Sequence, residues 1–235
     1  MLGIKKSDSF QMFNEIYGRY DLINSVLSFG LHKLWKRQLR DKLPTRFPTV
    51  DVLDIATGTG DIALSLAADK RVRLVKGVDL SEGMLSVAQE KAAKSRLRSK
   101  LHFALGDAQR LSQPDRNFEA VVIAFGIRNF ANVEQSLKEC FRVLKPGGRL
   151  IILEFSLPKN FVWRQLHLFY LRHVVPFIGG ILSGHKFAYR YLNQTIESFP
   201  YGKDFSNLME SCGFRKVGFE PLTMGISTLY WAERT

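Results

Sequence analysis

At 235 residues, 46% of them hydrophobic, the chain can bury one substantial core, and this length suits a single α/β domain with insertions better than two domains. Its formal charge of +12 calls for an acidic partner surface, nucleic acid or the anionic face of a membrane, and the excess is spread: nine Lys/Arg against four Asp/Glu in residues 1–49, nine against three in 70–100, and six against one in 159–203. Two cysteines, Cys140 and Cys212, with no CxxC spacing and no histidine cluster, exclude a disulfide framework, suggest no metal site and make a reducing cytoplasm the expected home.

In chain order, residues 1–8 lack the charged-then-apolar arrangement of an export signal. Apolar positions at helical spacing over residues 10–43 predict a helical N-terminal cap, residues 1–48, that ends near Pro44 and Pro48. A cofactor-binding core over 49–155 follows. In it Val50–Ala56 reads as a strand, Asp61–Ala68 as a helix, Arg73–Asp79 as a strand, Glu82–Ser95 as a helix, and Leu101–Asp107 and Phe118–Phe125 as strands. A helix over Val133–Leu144, closed by the turn Lys145-Pro-Gly-Gly148, leads into a fifth strand, Arg149–Phe155. Strands alternating with helices argue for a doubly wound parallel sheet with right-handed crossovers. Residues 156–203, aromatic and basic, break the alternation and read as a helical lid insertion. The apolar stretch Phe161 to Leu182 is interrupted by Arg164, Arg172 and Pro176, so it falls short of the ~20 apolar residues of a membrane span and is expected to lie on a membrane rather than cross it. Residues 204–235 hold a helix near Phe205–Cys212 and the strands Phe214–Pro221 and Ser227–Glu233, whose short link at Met224-Gly225 implies an antiparallel hairpin.

The chemistry centres on Leu53-Asp-Ile-Ala-Thr-Gly-Thr-Gly-Asp61, where an apolar strand runs into an acid and then a glycine-rich bend. Gly58 and Gly60 remove the Cβ atoms that would keep a ligand off the backbone. Gly58-x-Gly60-x-x-Ala63 also satisfies the loose dinucleotide fingerprint, so the bend alone does not choose between cofactors. The acids do: Asp54, Asp79 and Asp107 end the first three strands and project at the carboxyl edge of the sheet. Asp79 is placed to accept both hydroxyls of a ribose, Asp107 the amine of an adenine, and the bend admits an amino-acid tail. With no third glycine, no basic set for a pyrophosphate and no G-K-[ST], an adenosyl ligand with a zwitterionic tail, S-adenosylmethionine, fits better than NAD.

The element order, Asp54-x-x-x-Gly58-x-Gly60, Asp79, Asp107 and the terminal hairpin resemble a class I S-adenosylmethionine-dependent methyltransferase. Two longer strings narrow the resemblance: Tyr20-Asp-Leu-Ile-Asn-Ser-Val-Leu-Ser-Phe-Gly-Leu-His-Lys-Leu-Trp35 and Arg142-Val-Leu-Lys-Pro-Gly-Gly-Arg-Leu-Ile-Ile-Leu-Glu-Phe-Ser156 resemble the two signatures of the ubiquinone/menaquinone biosynthesis C-methyltransferases, the UbiE/MenG family. Phe125-Gly-Ile-Arg-Asn129 matches a third string. The likeness implies a Rossmann-like, seven-stranded, mostly parallel sheet with a C-terminal antiparallel hairpin. It also implies methylation of a ring carbon of a prenylated quinol, demethylmenaquinol or 2-methoxy-6-polyprenyl-1,4-benzoquinol. The family's cofactor positions fall on Thr59, Asp79 and the pair Asp107-Ala108, and on Ala124, where the family often has serine and a hydroxyl contact is therefore lost here.

Other residues carry two readings each. Asp54 either meets the ligand or only organises the bend through hydrogen bonds. Arg128 and Asn129 lie at the carboxyl edge beside the expected methyl; Arg128, always protonated, would stabilise a developing phenolate or orient a water, or would simply pair with a neighbouring acid. His32 or Tyr20 would supply a proton acceptor if the N-terminal helices fold over the pocket, or would serve only as helix residues. Trp35 reads more simply as a pin between cap and core, and Glu154 as a buttress of the fifth strand or a substrate contact. In the insertion, Phe161, Trp163, Phe169, Tyr170 and Phe177 offer surface to a polyprenyl tail while Arg164, Arg172 and Lys186 meet anionic headgroups, placing the protein at the inner face of the cytoplasmic membrane; a packed lid or homodimer contact is the alternative. Charge alone favours a nucleic-acid-binding module, which no RRM, KH or helix-turn-helix pattern supports. An RNA methyltransferase would need an Asn-Pro-Pro-Tyr-type motif where Phe125–Asn129 stands, and an NAD-dependent oxidoreductase is the remaining rival.

Overall fold

The computed structural model describes residues 25, 26, 28, 30–183 and 186–235, with the side chains of 182, 183 and 186–189 set aside; Tyr20 lies outside the described residues. Helix α1 (Leu31–Asp41) buries Trp35 and Leu39, exposes Lys33 and Arg37, and pairs Lys36 with Asp61 at 2.6 Å. Strand β1 (Val50–Ile55) is buried at every position, as a central parallel strand covered on both faces must be. Helix α2 (Asp61–Ala67), β2 (Val72–Asp79), α3 (Glu82–Lys94), β3 (Leu101–Leu105), β4 (Phe118–Ala124), α4 (Val133–Val143) and β5 (Leu144–Phe155) follow. Ser81 and Asn132 start α3 and α4 by accepting the free N–H groups of Met84 and Gln135.

The sheet has seven strands in the order β3-β2-β1-β4-β5-β7-β6. Strands β1 to β5 run parallel, and β7 (Ser227–Glu233) lies antiparallel between β5 and β6 (Arg215–Leu222). Chain order reverses at β1, flanked by β2 and β4, and a crevice opens outside the carboxyl ends of such a pair. The period of two sorts the central strands between two cores. Val121, Ile123, Leu150 and Ile152 face the side of α4 and α8 (Lys203–Ser211), while Ala120, Val122, Ile151 and Leu153 face Trp35, Leu39 and Leu66 on the other.

The stretch Lys145–Gly148 differs from the expected turn. Strand β5 already starts at Leu144, paired with Phe118, and the register resumes at Arg149 opposite Ala120, so Lys145–Gly148 is a bulge inside the strand. Gly147 takes φ +78° and donates its N–H to the Arg234 carbonyl at 2.6 Å, and the Arg234 N–H returns a bond to Gly148 at 3.0 Å. Arg234 also donates to the carbonyls of Phe141, Arg142 and Leu144, closing the end of α4. Strand β3 stops at Leu105, so Asp107 sits just beyond it.

The insertion comprises α5 (Phe161–Phe169), a π-helical turn (Tyr170–Val174), α6 (Val175–Ser183) and α7 (Lys186–Ser198). Pro176 has no N–H to return to the preceding turn, and the widened turn sits just before it. Leu157, Leu168, Leu171, Val175 and Ile196 form the insertion's own core. Among the described residues no helix is long and apolar enough to cross a membrane.

Candidate functional site

Beyond Ile55 the chain bends sharply, with Ala56 at φ +55°, Gly58 at +54° and Gly60 at +78°. The two glycines serve different ends. A Cβ on Gly60 would lie 2.9 Å from the Cβ of Ala88, so its bareness lets α2 pack on α3; a Cβ on Gly58 would meet nothing within 4 Å and would stand in the open crevice. The bend is held from below by Asp54, which is 1% exposed and accepts the Thr57 hydroxyl at 2.6 Å. Burial pushes the Asp54 carboxyl up to about 7, against the Thr57 hydrogen bond that lowers it, and the neighbouring Asp79 charge raises it further. The signal for Thr57 in the sequence is its place three residues after Asp54, within reach of a local side-chain hydrogen bond.

Asp79, ending β2, accepts the N–H of Gly58 at 2.8 Å on one oxygen and that of Ser81 at 2.9 Å on the other. Each oxygen keeps a lone pair for a diol, while burial raises the carboxyl above its ordinary value. Thr59 is buried within the bend and Ala108 beyond β3. Asp107 accepts the backbone N–H of Gln109 at 2.9 Å. Ala124 is the last residue of β4 and half-buried.

The segment after β4 lies directly on this bend. Phe125 takes φ +57°, and Gly126 packs so closely that a Cβ there would come within 2.5 Å of the Ala56 Cβ. A 3₁₀ turn, Ile127–Asn129, then carries Arg128 inward. Its guanidinium donates through Nη1 to Glu154 at 2.7 Å and to the carbonyl of Phe125, with both side chains of the ion pair almost fully buried. Arg128 Nε and Asn129 Oδ1 are buried with no hydrogen-bond partner among the described residues. Rings of Trp35, Phe125 and Phe155 cluster alongside, with centroids 4.5 to 6.2 Å apart, and the Trp35 indole donates to the Thr223 hydroxyl at 2.8 Å. Trp35 therefore fastens α1 to the terminal hairpin. His32, three residues before it on α1, is half-buried and bonds Ser28 at 2.7 Å.

A family model described as the ubiE/COQ5 methyltransferase family matches residues 1–234. The chain belongs to that family. It is 42% identical over 231 residues to the demethylmenaquinone methyltransferase of Bacteroides fragilis, covering 98% of this chain and 94% of that one. It is 42% identical over 223 residues to the enzyme of the same name from Thermus thermophilus, covering 95% and 100%. It is 41% identical over 224 residues to the ubiquinone/menaquinone biosynthesis C-methyltransferase UbiE of Geobacter sulfurreducens, covering 95% and 87%. Among solved structures, a SAM-dependent methyltransferase of Thermotoga maritima superposes with a TM-score of 0.67 at 19% identity, covering 96% of this chain and all of that one, a likeness that bears on the fold.

Proposed function

We propose that this protein transfers a methyl group from S-adenosylmethionine to a ring carbon of a prenylated quinol, demethylmenaquinol or 2-methoxy-6-polyprenyl-1,4-benzoquinol, in menaquinone or ubiquinone biosynthesis. The observation that carries the proposal is the contact of two half-sites: the Asp79-bound glycine bend and the Arg128 turn meet at Ala56 and Gly126. The residues present suit S-adenosylmethionine. Asp79 offers acceptors to the ribose hydroxyls, Asp107 an acceptor to the adenine amine, Ala108 and Ala124 small walls, and the bare Gly58, with Thr59 and Gly60, room for the amino-acid tail. When bound, that cofactor supplies an electrophilic methyl on a cationic sulfur.

Acceptor handling falls to Arg128, Asn129, His32 and Tyr20. The buried Arg128 Nε–H is a donor for a phenolate oxygen as the ring becomes nucleophilic, and Asn129 Oδ1 is an acceptor for a ring hydroxyl. Phe125 and Phe155, half-buried and backed by the fully buried Trp35, keep water from the reacting pair and pack on a flat ring. His32 or, alternatively, Tyr20 in the N-terminal segment would take the phenolic proton. Outside, Phe161, Val162, Leu166, Phe169, Phe177 and Ile181 are exposed on α5 and α6, which supports adsorption of the insertion to a bilayer and capture of a polyprenyl tail, while Arg172 is exposed but paired with Glu197 and would have to exchange that partner for a headgroup.

Calorimetry and turnover with a short-chain demethylated quinol test this reading. Asp79→Ala should abolish S-adenosylmethionine binding in a folded protein, and Arg128→Ala should depress turnover far more than cofactor affinity. Normal affinity in the first variant, or tighter binding of NADH than of S-adenosylmethionine by the wild type, would contradict it.

A further inference from the structure

A guanidinium is an awkward neighbour for a sulfonium. Arginine stays protonated at any pH the protein meets, and two like charges in a water-poor pocket repel. Yet the Arg128 turn lies against the bend proposed to receive the donor. The resolution is written on β5. Glu154 is 1% exposed, and its Oε1 accepts both Arg128 Nη1 at 2.7 Å and the Phe155 N–H at 2.8 Å, while Oε2 faces the Arg128 backbone N–H at 3.3 Å. Ser227 on β7 donates to the Glu154 carbonyl at 2.9 Å and fixes the backbone from the opposite side. The carboxylate thus engages the Nη1 edge of the guanidinium and leaves Nε without a partner among the described residues.

We propose that Glu154 is a positioning residue whose buried carboxylate cancels the charge of Arg128, so that the arginine presents a hydrogen-bond donor to the acceptor without repelling the cationic methyl donor. The inference rests on the proposed use of S-adenosylmethionine. Buttressing β5 would by itself need no charge, since a glutamine at this position could still accept Arg128 Nη1 and the Phe155 N–H through its one carbonyl oxygen and would give up only the long bond from the Arg128 N–H. A buried ion pair is also a poor source of net stability. What the carboxylate adds is neutrality beside the bend proposed to receive the cationic donor.

Comparing S-adenosylmethionine with S-adenosylhomocysteine, its neutral-sulfur product, isolates this effect because the two differ in the charge on sulfur. In Glu154→Gln the preference for the cationic ligand, read by calorimetry as the ratio of the two dissociation constants, should fall on the order of tenfold. The double variant Arg128→Gln/Glu154→Gln, which removes both charges, should return the ratio to that of the wild type although turnover is lost. A merely structural role would weaken both ligands by one factor, so an unchanged ratio in Glu154→Gln, or a ratio that stays shifted in the double variant, overturns the proposal. Should Glu154→Gln unfold unaided, the same ratio is read from ligand-induced Tm shifts in sucrose, which favours the compact state. A wild-type protein that binds neither ligand would instead refute the cofactor reading itself.

Discussion

Replacing Asp54 by asparagine should stabilise the ligand-free protein at pH 8, and the gain should shrink as pH falls from 7 toward 4. Asp54 is 1% exposed, and burial raises its carboxyl from 3.8 to about 7. Between those values the native protein holds a proton that the unfolded chain has already lost. Stability from this group therefore falls as pH rises through the window, and the full penalty stands above pH 7. A rise of about three units at 1.36 kcal/mol each sets a ceiling of about 4 kcal/mol. An asparagine keeps an oxygen for the Thr57 hydroxyl but brings an amide NH₂ that needs a partner, which removes roughly 1–3 kcal/mol of that ceiling. The net gain at pH 8 is then about 1–3 kcal/mol, a few degrees in Tm for a chain of this length. Denaturant titrations of wild type and variant from pH 4.5 to 8.5 measure it, and titrating groups other than the coupled Asp79 cancel in the difference. A variant less stable than wild type at pH 8, or a difference that does not change with pH, would refute the reasoning. The same substitution should weaken S-adenosylmethionine binding, because a cationic ligand favours the ionised carboxylate beneath the bend.

Gly58→Ala places a methyl in open space at φ +54°, so it should lower stability by only about 1 kcal/mol while sharply weakening S-adenosylmethionine in calorimetry; equal loss of stability and affinity would speak against an open ligand face. Gly126→Ala has an ordinary backbone at φ −107° but must push the Ala56 Cβ from 2.5 Å, shifting the turn that carries Arg128. Turnover should fall roughly 10²-fold, more than affinity does, and an unaffected rate would dissociate the turn from the chemistry. His167, buried in the insertion, has its imidazole pushed down from 6.5 to about 4 by burial. Its native state resists protonation that the unfolded chain accepts, so the contribution of this group to stability is lost as pH falls from 6.5 through 4; His167→Leu should flatten that limb in pH-dependent melts, and a limb of unchanged slope would exclude His167 as its source.

What the sequence made legible was local. The largely apolar runs of β1 and β4, the helical segments of α3 and α4, and the short hairpin link each act over a few residues, and each element formed where it was expected. Lys145–Gly148 was misread because proline and glycine punctuate turns and bulges alike; only the distant Arg234, which accepts at Gly147 and donates to Gly148, distinguishes them. Asp54, Asp79 and Asp107 were visible as acids at strand ends, yet nothing in their spacing told that Asp54 is sealed beneath the bend while Asp79 stands half-buried above it. The partnership of Arg128 with Glu154, and of Trp35 with Thr223, joins segments brought together by the strand order, and such pairs carry no periodic signal.

The central claim is that a carbon of a quinol ring receives the methyl. It is tested most directly by incubating the pure protein with methyl-labelled S-adenosylmethionine and the reduced demethylated prenyl naphthoquinol or its benzoquinol counterpart in anionic vesicles, then locating the label by fragment mass analysis. The account predicts one labelled methyl bonded to ring carbon, absent when the quinol is replaced by its oxidised quinone, whose ring cannot act as the nucleophile. Label on a quinol oxygen, or label transferred to RNA while both quinols remain unmodified, would contradict it.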